Sequence, residues 1–143
     1  MTISVNGSGT IGGVIAIPET VTITASAPSS TTNFDTVTQS IQYYTSNATT
    51  NFTLNIRGNS TTTFNSVSSV SGSYTIVLMV TNGATAYYPS TIQIDGSSIT
   101  PKWISGVAPT WGNSSSIDVY TFTIIKTATS PTYLVLAAQT KYA

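Results

Sequence analysis

Apolar and Thr-rich stretches in this chain are short, and turn dipeptides cut them at close intervals. At Phe52-Thr53-Leu54-Asn55-Ile56-Arg57 the apolar side chains fall on every second residue, the period of a strand with one covered face. Thr20-Val21-Thr22-Ile23-Thr24 and Thr91-Ile92-Gln93-Ile94-Asp95 repeat the pattern. Three fuller runs, YTIVLMV (74–80), VYTFTII (119–125) and TYLVLAA (132–138), predict strands covered on both sides. Between these runs stand Asn6-Gly7, Gly58-Asn59, Asn82-Gly83, Asp95-Gly96 and Gly112-Asn113, dipeptides that favour tight turns. Short strands at such spacing predict an all-β chain, an antiparallel β-sandwich of jelly-roll-like character with an N-terminal β arm. Residues 1–48, which include GTIGGVIAIPET and the Ser/Thr/Pro-rich SAPSSTTNF, read as the arm or anchor region, and residues 49–143 as the sandwich module. Residues 34–44 fit two periods. Val37, Ile41 and Tyr44 would share a helical face, and Val37, Gln39, Ile41 and Tyr43 a strand face; the β-branched residues favour the strand.

Composition removes several functions. Of 143 residues only four are acidic and four basic, far below the roughly 25% charged content of an ordinary domain. A formally neutral chain offers no field for nucleic acid or an anionic membrane, and its low charge favours self-association. There is no Cys and no His, which removes disulfides, thiolate chemistry, and the commonest general base and metal ligand. No cofactor is expected. The N-terminal MTISVNGSGTIGG has neither a basic stretch nor a long apolar one, so no signal peptide is expected. The longest apolar run, Ile76 to Val80, is far short of the ~20 residues that span a bilayer. The chain is expected to be made and kept on the cytoplasmic side, unless something carries it out.

Candidate chemistry is sparse. The acids are Glu19, Asp35, Asp95 and Asp118, and only Asp95 with Asp118 suggests the facing carboxylates of a glycosidase. Against that pairing, Asp95 precedes Gly96 in a turn dipeptide and Asp118 opens a strand. A Ser–Lys dyad would have to use Lys102 or Lys126, and no motif supports one. Trp103 and Trp111 are the better candidates, because aromatic faces stack on sugar rings and anchor protein interfaces. Tyr87, Tyr88 and Asn113 could extend such a surface. Trp103, in a strand-like stretch, reads as packing; Trp111, between Pro109 and Gly112, reads as a surface contact.

The C-terminal part, YYPSTIQIDGSSITPKWISGVAPTWGNSSSIDVYTFTIIKTATS followed by YLVLAAQTKYA, resembles the C-terminal module of virion structural proteins of tailed bacteriophages. These include tail-fibre-like and particle-surface proteins of phages of marine cyanobacteria. The shared pattern is K-W-x-x-G-x-A-P-T, a small-residue loop and I-D-V-Y-x-F. It falls here on Lys102, Trp103, Gly106, Ala108, Pro109, Thr110, Ile117, Asp118, Val119, Tyr120 and Phe122. The resemblance implies a structural role for Lys102, Trp103, Pro109, Asp118 and Tyr120, while Trp111 lies outside the recurring positions. It departs in one respect: relatives are often long fibres with this module at the tip, whereas this chain is nearly all module.

The resemblance also implies a non-enzymatic virion protein that assembles as a homo-oligomer, a trimer by the family's habit. Its partners would be other virion proteins and a host surface glycan or protein, with no nucleic acid and no membrane insertion. The leading expectation is a tail-fibre or tail-associated module contributing to host attachment. A head decoration protein is the first alternative, and a stand-alone carbohydrate-binding module the second.

Overall fold

The computed structural model describes residues 19–130 and 132–143. The elements in chain order are β1 (Val21–Thr24), β2 (Thr31–Asp35), β3 (Ile41–Tyr44), β4 (Phe52–Arg57), α1 (Phe64–Val67), β5 (Ser73–Asn82), β6 (Pro89–Ile94), β7 (Ser97–Ile99), β8 (Lys102–Trp103), a 3₁₀ turn (Ile104–Gly106), β9 (Ser116–Ala128) and β10 (Thr132–Tyr142). Two sheets pack face to face. One has six strands in the order β1-β3-β5-β9-β10-β8, the other four in the order β2-β4-β6-β7. The all-β sandwich expected from the alternation is therefore the fold.

Strand direction differs from the antiparallel, jelly-roll-like arrangement expected. From β1 to β6 each successive strand crosses to the opposite sheet. Same-sheet neighbours are thus two strands apart in sequence and run parallel: β1 with β3, β3 with β5, β2 with β4, β4 with β6. The opposite sheet acts as the crossover that a parallel pair requires. Antiparallel pairing starts with the hairpins, β6 with β7 and β9 with β10, and β9 also lies antiparallel to β5. Among the expected turns within the described residues, only Asp95-Gly96 makes a two-residue hairpin, with φ of +50° and +79°, the geometry that a primed turn demands. Gly58-Asn59 and Asn82-Gly83 instead begin crossings between sheets. Asn6-Gly7 lies outside the described residues.

The same winding explains residues 34–44. They are not one strand: β2 ends at Asp35 in the four-stranded sheet, and β3 starts at Ile41 in the six-stranded one. The turn between them is closed by Gln39 N–H donating to Asp35 O (3.3 Å) and Thr38 Oγ1 to the same oxygen (2.9 Å). Val37 consequently faces solvent, while Gln39 is buried and accepts from Thr22 Oγ1 at 2.7 Å. Of the expected arm, residues 1–18 lie outside the described residues. Residues 21–44 supply strands to both sheets, and Phe34, Tyr44 and Ala48 belong to the common core.

That core is made by the inner faces of both sheets. Phe34, Leu54, Ile56, Ile92 and Ile94 meet Ile76, Leu78, Val80, Tyr120, Phe122, Ile124 and Val135. The three fuller apolar runs are covered on one side only, since Val77, Met79, Val119, Ile125, Leu134 and Leu136 keep partial exposure on the outward face. At one end Phe64 of α1 closes the core against Tyr74 and Tyr133, with ring centroids 5.2 and 5.7 Å away. No helix among the described residues is long and apolar enough to cross a membrane.

Because side chains alternate along β4, neighbouring residues should respond differently to truncation. Leu54→Ala should cost about 2–5 kcal/mol by urea unfolding, and Thr53→Ala, on the outer face, less than about 1 kcal/mol. Equal losses at the two positions would contradict the register.

Candidate functional site

Three of the most exposed large apolar side chains stand together on the connection from β8 to β9. After Lys102 and Trp103 the chain turns through Ser105 and Gly106, both at positive φ (+61° and +76°). It then runs as an irregular loop to β9. Ile104, Val107 and Trp111 are 67, 73 and 71% exposed, unusual for large apolar groups so close together. With Trp103, Ala108, Pro109, Thr110 and Gln139 they line an open cleft of about 290 Å³. A second groove of about 380 Å³, shared by Lys102, Trp103, Ile104, Thr121, Thr123 and Leu136, joins the loop to the outer face of the six-stranded sheet.

The loop is exposed but firmly anchored. The Trp103 and Phe122 rings meet in a T-shaped arrangement, with centroids 6.0 Å apart and planes at 71°, so Trp103 is packed against the core. Beyond Trp111, Gly112 has no room for a side chain, because a Cβ would collide with the Tyr87 carbonyl. Asn113 is then tied to Asp118 twice, through its backbone N–H to Oδ2 (2.8 Å) and Nδ2 to Oδ1 (2.6 Å).

Asp118 has no exposed surface. Its carboxylate also accepts from Asn82 Nδ2 of β5 (3.0 Å), Gln139 Nε2 of β10 (3.2 Å) and, more weakly, Tyr120 Oη (3.4 Å). Gln139 Nε2 further reaches Tyr120 Oη (3.1 Å) and the Trp111 carbonyl (3.3 Å). Asn82 Oδ1 accepts from Tyr87 N–H at 3.0 Å. One buried carboxylate thus joins the central strands to the loop that carries Trp111. Burial, followed by the negative charge of Asp118, pushes the Tyr120 hydroxyl well above its ordinary value. Tyr120 therefore stays a neutral donor.

The sequence-derived candidates divide accordingly. Trp111 is at the surface. Asn113, expected as a contact, turns its amide nitrogen inward to Asp118. Tyr87 and Tyr88 pack against the core with half-buried rings. Lys102 is exposed at the β8 edge, Pro109 lines the cleft, and Asp118 and Tyr120 are wholly buried. Ile104 and Val107 were not singled out from the sequence, although two apolar residues in a Gly/Ser/Pro-rich loop were a usable signal.

The carboxylate pair considered for hydrolysis is not a pair. Asp95 lies beside Tyr133 at one end of β10, whereas Asp118 is paired with Lys141 near the other. Eight residues of strand separate these levels, about 26 Å at ~3.3 Å per residue, against the ~5–10 Å that glycoside hydrolysis needs. Asp95 caps α1 instead, accepting from Phe64 N–H (2.6 Å) and Asn65 N–H (2.9 Å). Lys126 Nζ is buried on the carbonyls of Asn65 (2.8 Å) and Ser68 (3.0 Å), beneath the same helix.

Comparisons with known protein families, with curated proteins and with solved structures give no match to this chain.

Asp118→Ala would leave Asn82 Nδ2 and both Asn113 donors without their acceptor, while Gln139 keeps only the Tyr120 hydroxyl and the Trp111 carbonyl. It should cost about 3–5 kcal/mol by urea unfolding and loosen the Trp111 loop, measured as faster proteolysis between β8 and β9. Alkali should act through Tyr120. Its folded pKa lies above the unfolded value of 10.0, so its contribution to stability is complete below pH 10 and falls above it, as the unfolded chain ionises first. The thermal midpoint should decline beyond about pH 10, and Tyr120→Phe should make that decline shallower.

Proposed function

We propose that this chain is a non-enzymatic structural module of a tailed-phage particle, displayed on the surface as a tail-fibre or tail-associated domain that contributes to host attachment. The observation that carries the reading is the pairing of exposure with anchoring in the Ile104–Trp111 loop. Three large apolar groups stand in solvent on a segment held by a buried carboxylate and a core-packed tryptophan. Fixing such groups in advance lowers the ordering cost of binding, which is how contact surfaces gain affinity.

The resemblance fits this division of labour. Its recurring positions Trp103, Asp118, Tyr120 and Phe122 form the scaffold under the loop, and Trp111, outside the pattern, is the tip. Recurring residues beneath a tip residue that the pattern leaves open suit proteins that keep an architecture and change a receptor. The partner would be a host surface glycan or protein, with the indole face stacking on a sugar ring or an apolar side chain. Homotrimeric assembly and contacts to other virion proteins belong to the same reading.

Purified protein added to host cells before the particles should slow adsorption several-fold. Trp111→Ala should lose most of that effect while its thermal midpoint stays within about 2 °C, since the ring contributes little to the core. Unchanged adsorption, with particles lacking the protein less resistant to heat, would move it to the head as a decoration protein.

A further inference from the structure

Two hollows meet at one edge of the six-stranded sheet. β8 ends the strand order and, among the described residues, pairs only with β10, so its other edge is open. Lys102 is level with Leu136, and Trp103 with Ala137. Leu136 is on the outward side of the pleat and Ala137 on the buried side, so Lys102 and Trp103 take opposite faces. The groove of about 380 Å³ lies on the outer face, where Thr121, Thr123 and Leu136 line it. The cleft of about 290 Å³ lies on the inner side, with Gln139 and the loop. Trp103 and Ile104 border both.

The cleft offers little to a polar ligand. Thr110 and Gln139 are its polar side chains besides the two indoles. Gln139 Nε2 is already shared by Asp118, Tyr120 and the Trp111 carbonyl. The Asn113 amide nitrogen is turned away to Asp118. No carboxylate or guanidinium lines either hollow, and Lys102 is the one charged group on their borders. A sugar ring exchanges several hydroxyl–water bonds for protein ones, and a site without matching groups leaves them unpaired. An apolar side chain has no such loss, and it buries area on Ile104, Val107 and Trp111.

We infer that this edge takes an extended segment of a partner protein, laid beside β8 as an added strand. Large apolar side chains of that segment enter the cleft and the groove, and an acidic one stands beside Lys102. Successive residues of a strand point to opposite faces, which a hollow on each side of an open edge accommodates. β8 offers only two residues of backbone, so the hollows carry most of the contact. A second copy of this edge is a poor occupant. Two β8 edges side by side would set Lys102 against Lys102, and like charges across a strand pair are destabilising. Pro101, the preceding residue, has no N–H to give to an added strand.

This rests on the reading of the loop as a contact surface, and it names the partner as protein rather than glycan. Flow cytometry of host cells with labelled protein separates the two. Cells treated with protease should lose binding at least tenfold. Cells treated with periodate, which cleaves vicinal sugar hydroxyls, should keep it. Loss on periodate treatment would overturn the inference and leave attachment intact. A library of random twelve-residue peptides selected on the purified chain supplies a test without cells. Selected peptides should carry large apolar residues near an Asp or Glu. They should lose about tenfold in affinity on Ile104→Ser and on Lys102→Glu, two exposed positions whose variants keep the native thermal midpoint. A library that yields no binder, or binders indifferent to both changes, would overturn the inference even where cells bind. Cells that bind nothing while the library behaves as expected would count against the attachment reading alone.

Discussion

A carboxylate without solvent contact must find its donors inside the fold, and Asp118 finds them in three separate stretches of chain. Asn82 comes from the end of β5, Asn113 from the loop and Gln139 from β10. Burying such a charge is costly, and the cost is offset only when most of its lone pairs are occupied. Each donor that satisfies Asp118 therefore also fixes its own segment. Asn82 positions the Tyr87 backbone, Tyr87 leaves space only for glycine at 112, and Gln139 holds the Trp111 carbonyl. The loop is ordered from below by polar bonds, which frees its apolar groups to face outward.

The same economy of charge shapes the rest of the molecule. With only eight Asp, Glu, Lys and Arg side chains available, each has a distinct placement. Asp95 and Lys126 serve the two ends of α1, the first on its opening N–H groups and the second on carbonyls at its end. That short helix would not persist alone, and it carries Phe64 into the core between Tyr74 and Tyr133. Arg57 and Asp35 join adjacent strands on the polar face. Charges are thus used to hold irregular segments against a sandwich whose strands are held by burial.

Much of this was legible before the coordinates. Alternation at 52–57 named the inner residues Phe52, Leu54 and Ile56, all buried, because a two-residue period leaves only one choice of face. Asp95-Gly96 announced its hairpin for the same local reason: both positions need positive φ. The parallel winding was not legible. Turn dipeptides report where a chain bends and carry no information on which sheet receives the next strand, so Asn82-Gly83 looked like a hairpin. Residues 34–44 misled further, since the β-branched Val37 belongs to a crossing where Asp35 accepts the closing bonds. Nor could spacing show that Asn113 serves Asp118, five positions on, rather than the surface. An Asn in a Ser-rich loop has the same local signature in either role.

The near-continuous apolar look of 74–80, 119–125 and 132–138 had suggested cover on both sides, and the fold covers only one; Thr75, Thr121 and Thr123 are the polar positions on the side left open. A solitary sandwich with one wet face ordinarily alternates polar residues outward, as β2 and β4 do here with Asn33, Asp35, Asn55 and Arg57. β5, β9 and β10 instead place Val77, Met79, Val119, Ile125, Leu134 and Leu136 outward. Large apolar groups interspersed with threonines on one outer face, and amides with an ion pair on the other, give the two sheets different surfaces although both are built largely from parallel strand pairs at one side.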